Sequence, residues 1–137
     1  MGAPNSNIHA AFRARLLAYT GVPSIAWEGL PFTPTAGAIY LKPALLPGEP
    51  RQAEIGPNGQ NWHTGVFQIS IMAPAGVGVA AISTLRDGLI DWFKRGTSLV
   101  YSTTTVTCTK AYGGPVMPET DRLHLPITIQ YRVLAPN

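Results

Sequence analysis

Residues 65–96 read GVFQISIMAPAGVGVAAISTLRDGLIDWFKRG, and their reading decides the fold. Phe67, Ile69 and Ile71 alternate with Val66, Gln68, Ser70 and Met72, the period of a half-buried strand. A Pro-Ala-Gly-Val-Gly turn follows at 74–78. Ile82, Leu85, Leu89 and Phe93 then recur along one stripe of a helix predicted over 79–95, with Trp92 on its flank. Arg86, Asp87, Asp91, Lys94 and Arg95 lie away from that stripe, and Gly96 closes it. Asp91 precedes Arg95 by one helical turn, the favourable order for an ion pair. Strand, glycine turn and helix together admit two functions: a phosphate cradle or a packing unit.

The cradle is tested by its spacing. Gly76-Val77-Gly78-Val79-Ala80-Ala81 matches G-x-G-x-x-A at a helix start. A dinucleotide site also needs an acid roughly 20 residues on, at the end of the next strand, to hold the ribose. Asp91 falls within the helix, the next strand ends in Ser and Thr, and no second parallel repeat follows. Nucleotide binding is therefore the weaker reading. The glycines serve a turn and a close contact between helix and sheet.

Working outward, Ile8, Phe12, Leu16 and Tyr19 mark one face of an N-terminal helix. Ser6 is its candidate N-cap, residues 1–5 are a loose arm, and Gly21 and Pro23 end it. Residues 24–27 and 38–42 are short strand candidates, separated by the proline-rich 28–34 segment. Residues 44–61 hold Pro47, Gly48, Pro50, Gly56-Pro57 and Asn58-Gly59, all turn signals, and read as a long loop or arm. A connection of that length in a compact domain is usually functional. The strand around Phe67 spans 62–72. Residues 99–109 are one long Thr-rich strand or a hairpin, and 111–121 a loop. From Leu123 to Val133 apolar and polar residues alternate strictly, and Pro126 argues for an edge or bulge there. The order predicts an α+β fold: a mostly antiparallel β-sheet covered by two α-helices, in a single domain over 1–137.

Composition narrows the function. The chain has 137 residues, enough for one core without staples. Charged residues make up 12%, about half of the usual ~25%. Sparse charge fits a surface largely covered by other subunits. The net charge of +3 is dispersed along the chain, with no basic run beyond Lys94-Arg95, so it does not argue nucleic-acid binding. Cys108 is the single cysteine, which excludes an intramolecular disulfide. The start carries no secretory pattern and no apolar run approaches a membrane span, so the expectation is a chain made in a reducing cytoplasm.

Enzymatic chemistry finds no support. His9, His63 and His124 are not spaced as metal ligands with one another, with Cys108 or with a carboxylate. Glu28, Glu49, Glu54, Glu119 and Asp121 sit in predicted loops, and Asp87 and Asp91 on a charged helix face. No G-x-S-x-G elbow is present. No catalytic residue, metal or cofactor is expected.

Four segments together resemble the tail terminator proteins of long-tailed phages. These are residues 25–34 (IAWEGLPFTP), residues 65–78, the helix running to Gly96, and residues 125–132 (LPITIQYR). The resemblance covers nearly the whole chain and is weakest over 44–61. It implies a structural protein of the virion, made in the host cytoplasm. Such a protein forms a ring, generally a homohexamer, at the head-proximal end of the tail tube. The ring stops tube polymerisation and joins the tail to the head-completion or stopper protein. Genomic DNA passes through its lumen without sequence-specific binding. A ring subunit needs two different complementary patches. Arg51, Gln52, Glu54, Asn58, Gln60, Trp62 and His63 are the candidate contacts to a neighbour or the tube. Arg13, Arg51, Lys110 and Arg122 are candidates to face the lumen. The alternatives are another connector or tail component, such as a stopper or tube subunit, and a small-ligand-binding domain using the glycine turn.

Overall fold

The computed structural model describes residues 4–21, 23–27, 29, 33, 38–49, 51–52, 60–74, 79–101, 104–118 and 122–136. Helix α1 spans Pro4–Leu17. Strands β1 (Ser24–Ile25), β2 (Tyr40–Pro47), β3 (Arg51–Gln52) and β4 (Gln60–Pro74) follow. Helix α2 spans Val79–Trp92. Strands β5 (Ser98–Tyr101), β6 (Thr104–Gly113), β7 (Met117–Pro118) and β8 (Arg122–Pro136) complete the chain. The glycine turn at 75–78 and most of the 28–34 segment lie outside the described residues.

The strands form one curled sheet in the order β1-β2-β4-β8-β6-β5, with β3 beside β4 and β7 beside β8. Its spine is the antiparallel β4–β8 pair, in register from Gln60↔Pro136 to Pro74↔Arg122. The expected mostly antiparallel α+β sheet covered by two helices is corrected here: the sheet is mixed, because β1 runs parallel to β2. A parallel neighbour needs a crossover of about a dozen residues or more, and residues 26–39 supply it. That segment's prolines read as a loop between independent strands, which concealed the pairing. The helices are also a smaller part than expected, 14 residues each beside eight strands.

Strand alternation divides the sheet into two faces. Phe67, Ile69, Ile71 and Ala73 of β4 and Leu125, Ile127, Ile129, Tyr131 and Val133 of β8 point to one side and are buried. Both helices cover that side, through Ile8, Phe12 and Leu16 of α1 and Ile82 and Leu89 of α2, joined by Phe93 just past its end. Phe12 is the hub. Its ring stacks on Phe67 at 4.5 Å and meets the edge of Tyr131 at 5.4 Å. Phe93 lies 6.0 Å away. Asn7 Nδ2 donates to Thr104 Oγ1 at 3.0 Å and ties the start of α1 to β6.

Local differences from the sequence reading have plain causes. Helix α1 begins at Pro4, so Ser6 lies inside it; proline suits the first turn because its missing N–H has no partner there in any case. Strand β2 runs to Pro47, through Pro43, because past Leu41 no described strand pairs with its outer edge. The 98–113 segment is the β5–β6 hairpin. Pro126 is tolerated in the central strand β8 because its polar backbone edge faces the gap between β6 and β7, where Gly114 N donates to its carbonyl at 2.8 Å. Helix α2 ends at Trp92, so Arg95 is not on the next turn after Asp91 and the expected ion pair does not form. Among the described residues, the salt bridge on this helix is Arg86–Asp87, at 3.1 Å.

Candidate assembly surface

Beside β3, two antiparallel registers bring the sequence-predicted contacts together. Arg51 pairs with Trp62, and Trp62 pairs with Leu134 on the other side. Thr64 pairs with Arg132. Arg51, Trp62, Thr64 and Arg132 therefore share the face away from the helices. They line a hollow of about 330 Å³, with the Arg132 guanidinium 5.1 Å from the Trp62 ring centre. Gln60, opposite Pro136, starts β4 on this same face. Gln52 pairs with Asn61, and His63, which pairs with Val133, belongs to the opposite side of the sheet. His63 Nε2 is buried without a hydrogen-bond partner among the described residues. Glu54 and Asn58 lie outside the described residues.

The backbone beneath this hollow is drawn tight. Gly48 N donates to Thr64 O at 2.7 Å. A Cβ on Gly65 would lie 2.6 Å from the Tyr131 hydroxyl and 2.7 Å from the Leu46 carbonyl oxygen. Glycine is required there because β2 and Tyr131 occupy the space a side chain would take. The Tyr131 hydroxyl is buried without a partner among the described residues, and burial pushes its pKa up to about 12.

Arg132 also lines two further hollows, of about 430 and 420 Å³, reaching Gln130 and Thr109 on one side and Arg95 and Thr107 on the other. The open face continues across the whole sheet, and the described residues put no element over it. It carries most of the exposed large apolar side chains: Leu46, Val100, Tyr112, Met117 and Leu134. Monomeric proteins seldom gather such residues on one face. It also carries Lys42, Arg51, Lys110, Arg122 and Arg132, while none of the eight strands contains an Asp or Glu. Lys110 and Arg122 rest over the rings of Tyr112 and Tyr40, at 5.1 and 5.2 Å. The cations thus lean on aromatic rings rather than on carboxylates. Arg13, by contrast, belongs to α1 and lies over Trp27, at 4.9 Å.

Sequence reading named Arg51, Lys110 and Arg122 but not their common face, and it missed Lys42, Arg132, Leu46 and Leu134. For Arg132 the signal was present: strict alternation through 123–133 puts Arg132 opposite the apolar set. For Lys110 it was hidden by a β-bulge between Cys108 and Lys110, which inverts the parity of β6.

On the covered side, Cys108 is fully buried, and burial raises its thiol to about pKa 11 against an opposing pull from Arg15. Arg15 and Trp92 clasp each other. Arg15 Nη2 donates to the Trp92 carbonyl at 2.7 Å, Trp92 Nε1 donates to the Arg15 carbonyl at 2.8 Å, and the guanidinium lies 3.7 Å over the indole. A thiol held neutral is a poor nucleophile. Among the described residues, no cluster of His, Cys, Asp and Glu is arranged to hold a metal ion, and no helix is long and apolar enough to cross a membrane.

The described residues thus leave one broad sheet face open, apolar and basic. Residues 7–131 match the phage tail terminator protein family, and the chain belongs to that family. The family is one of structural phage tail proteins. Among solved structures, one chain at 25% sequence identity superposes with a TM-score of 0.78 over 96% of both chains. A chain from the virion of a native gene transfer agent particle, at 19% identity, has a TM-score of 0.65 and covers 98% of this chain and 100% of its own; at that identity the likeness shows a shared fold. No curated protein matches the chain in sequence.

Proposed function

We propose that this protein is the subunit of a ring, a homohexamer, that caps the head-proximal end of the tail tube. The ring stops tube polymerisation and presents the joining surface for the head-completion or stopper protein. DNA passes through its lumen without sequence-specific contact. The observation that carries this reading is the family match across residues 7–131. The open, apolar and basic sheet face supports it, because ring subunits bury large surfaces against their neighbours. Arg51, Gln60 and Trp62, with residues 53–59 between β3 and β4, are the proposed contacts to a neighbour or the tube; residues 44–47, 51–52 and 60–61, expected as part of a long arm, belong to strands.

The test is to mix purified protein with tail tubes and image the products by negative stain. The reading expects closed rings and tubes capped at one end, with tube growth halted. Self-polymerisation into long tubes would identify a tube subunit instead. Particles that never associate with tube ends would refute the proposal. Replacement of residues 53–59 by Asn-Gly, which keeps a short turn between the paired Gln52 and Asn61, should leave the sheet folded and weaken association; unchanged capping would remove this segment from the interface.

A further inference from the structure

The open sheet face has a counterpart on the same molecule. The solvent side of α2 presents Ala80, Ala81, Thr84, Asp87 and Asp91, all exposed. These residues follow one another at helical spacing, so they form one stripe of small and acidic side chains. Small side chains let a helix lie close on a sheet. Thr84 Oγ1 is turned back onto the Ala80 carbonyl at 3.1 Å, which keeps the stripe low. Asp91 has no salt-bridge partner among the described residues, and Asp87, 69% exposed, is held only by its neighbour Arg86. The strands carry cations and no carboxylates, whereas the second helix presents two aspartates to solvent, with Arg86 beside Asp87 and Lys94 and Arg95 exposed just past the helix end.

We infer that α2 of one subunit docks on the open sheet face of the next, setting Asp87 and Asp91 against Lys110 and Arg132. The inference rests on the ring reading and specifies its interface. The contact is heterologous: the two patches lie on opposite sides of one sheet, so each subunit offers both, and repetition closes a ring when the rotation from one subunit to the next divides a full turn, and runs on as a filament when it does not. Sheets are ordinarily covered on their apolar face by helices of their own chain. Here the neighbour's helix supplies the second layer, covering Leu134 and Val100 and giving the cations carboxylate partners.

Two experiments test it. In wild-type rings, a carbodiimide that joins carboxylates to amines should link Asp87 or Asp91 to Lys110 or Lys42. Within one subunit these groups are separated by the sheet, so the link reports contact between subunits. Rings whose links map only to glutamates of other segments would overturn the inference while leaving the ring intact. A wild-type protein that forms no ring, alone or on tubes, would instead remove the reading beneath it.

The second experiment is a charge exchange. Asp87→Arg with Asp91→Arg, and separately Lys110→Glu with Arg132→Glu, should each raise the concentration for half-assembly by at least about tenfold. Circular dichroism checks that both remain folded. Mixing the two variants should restore rings, because one junction is then wild type and the other has its charges exchanged. Variants that assemble normally, or a mixture that stays monomeric, would overturn the inference. If a variant fails to fold, the crosslinks in wild-type protein decide alone.

Discussion

The two faces of this sheet are made from the same strands and differ in almost every physical respect. One holds Phe67, Ile129 and Tyr131 under two helices and is dry; the other holds Thr64, Gln130 and Arg132 and lies open. Alternation along β8 creates both at once, because each inward isoleucine commits its neighbour to the outside. The covered face specifies the fold. The open face retains charge and apolar surface that the monomer does not use. Fold stability and the proposed association therefore draw on alternate residues of the same strands, and substitutions can address them separately.

The strongest challenge to that division is Phe12→Ala. It removes the ring that stacks on Phe67 and abuts Tyr131. A loss of about 3–5 kcal/mol in chemical denaturation is expected. Gly65→Ala should follow, at about 1–3 kcal/mol, because the new methyl meets the Tyr131 hydroxyl and the Leu46 carbonyl. A Gly65→Ala protein with unchanged stability would show that β2 and Tyr131 yield easily, and would blur the boundary between the faces.

A third expectation concerns alkali. The Cys108 thiol is raised from 9.0 to about 11 by burial. A raised acid favours the folded state below its unfolded pKa, and that contribution is lost as pH climbs from about 9 to 11. Tyr131, raised from 10.0 to about 12, extends the loss upward. The melting temperature should thus fall from pH 9 onward, and more gently in Cys108→Ala relative to its own value at pH 8. Equal slopes would show that Cys108 plays no part. The smallest effect is on the open face: Arg132→Ala should change monomer stability by no more than about 0.5 kcal/mol. A larger loss would mean that this face also supports the fold.

Periodicity carried much of the architecture. The stripe from Ile82 to Phe93 and the alternation from Leu123 to Val133 read directly, because a helix and a half-covered strand each leave a regular apolar pattern. Strand β1 was read as a candidate at 24–27, but its parallel pairing with β2 was not. Two residues leave no period, and their partner depends on a crossover rich in proline. Strand β2 was read short because its prolines resemble breakers until the neighbouring edge is known to be unpaired. The surface was legible in pieces. Trp62 and Arg51 were picked out by their setting beside a long connection, whereas Lys110 needed the bulge before its side of the sheet could be assigned. His63 shows the limit of listing neighbours in sequence: one residue from Trp62, it belongs to the opposite face.

The β4–β8 pair has a mechanical meaning. Its register runs unbroken over the full length of two 15-residue strands. A force along those strands in opposite directions loads the whole ladder in shear, so its bonds must yield together. A force on β1 meets two residue pairs, Ser24↔Tyr40 and Ile25↔Leu41, and can peel them in turn. Pulling in an optical trap by handles at positions 60 and 122, one on each strand and at opposite ends of the ladder, should therefore require far more force than pulling β1 from the edge. Comparable forces would show that the spine is no stiffer than the rim. A sheet under load gains from placing its longest ladder at the centre and its shortest at the margin.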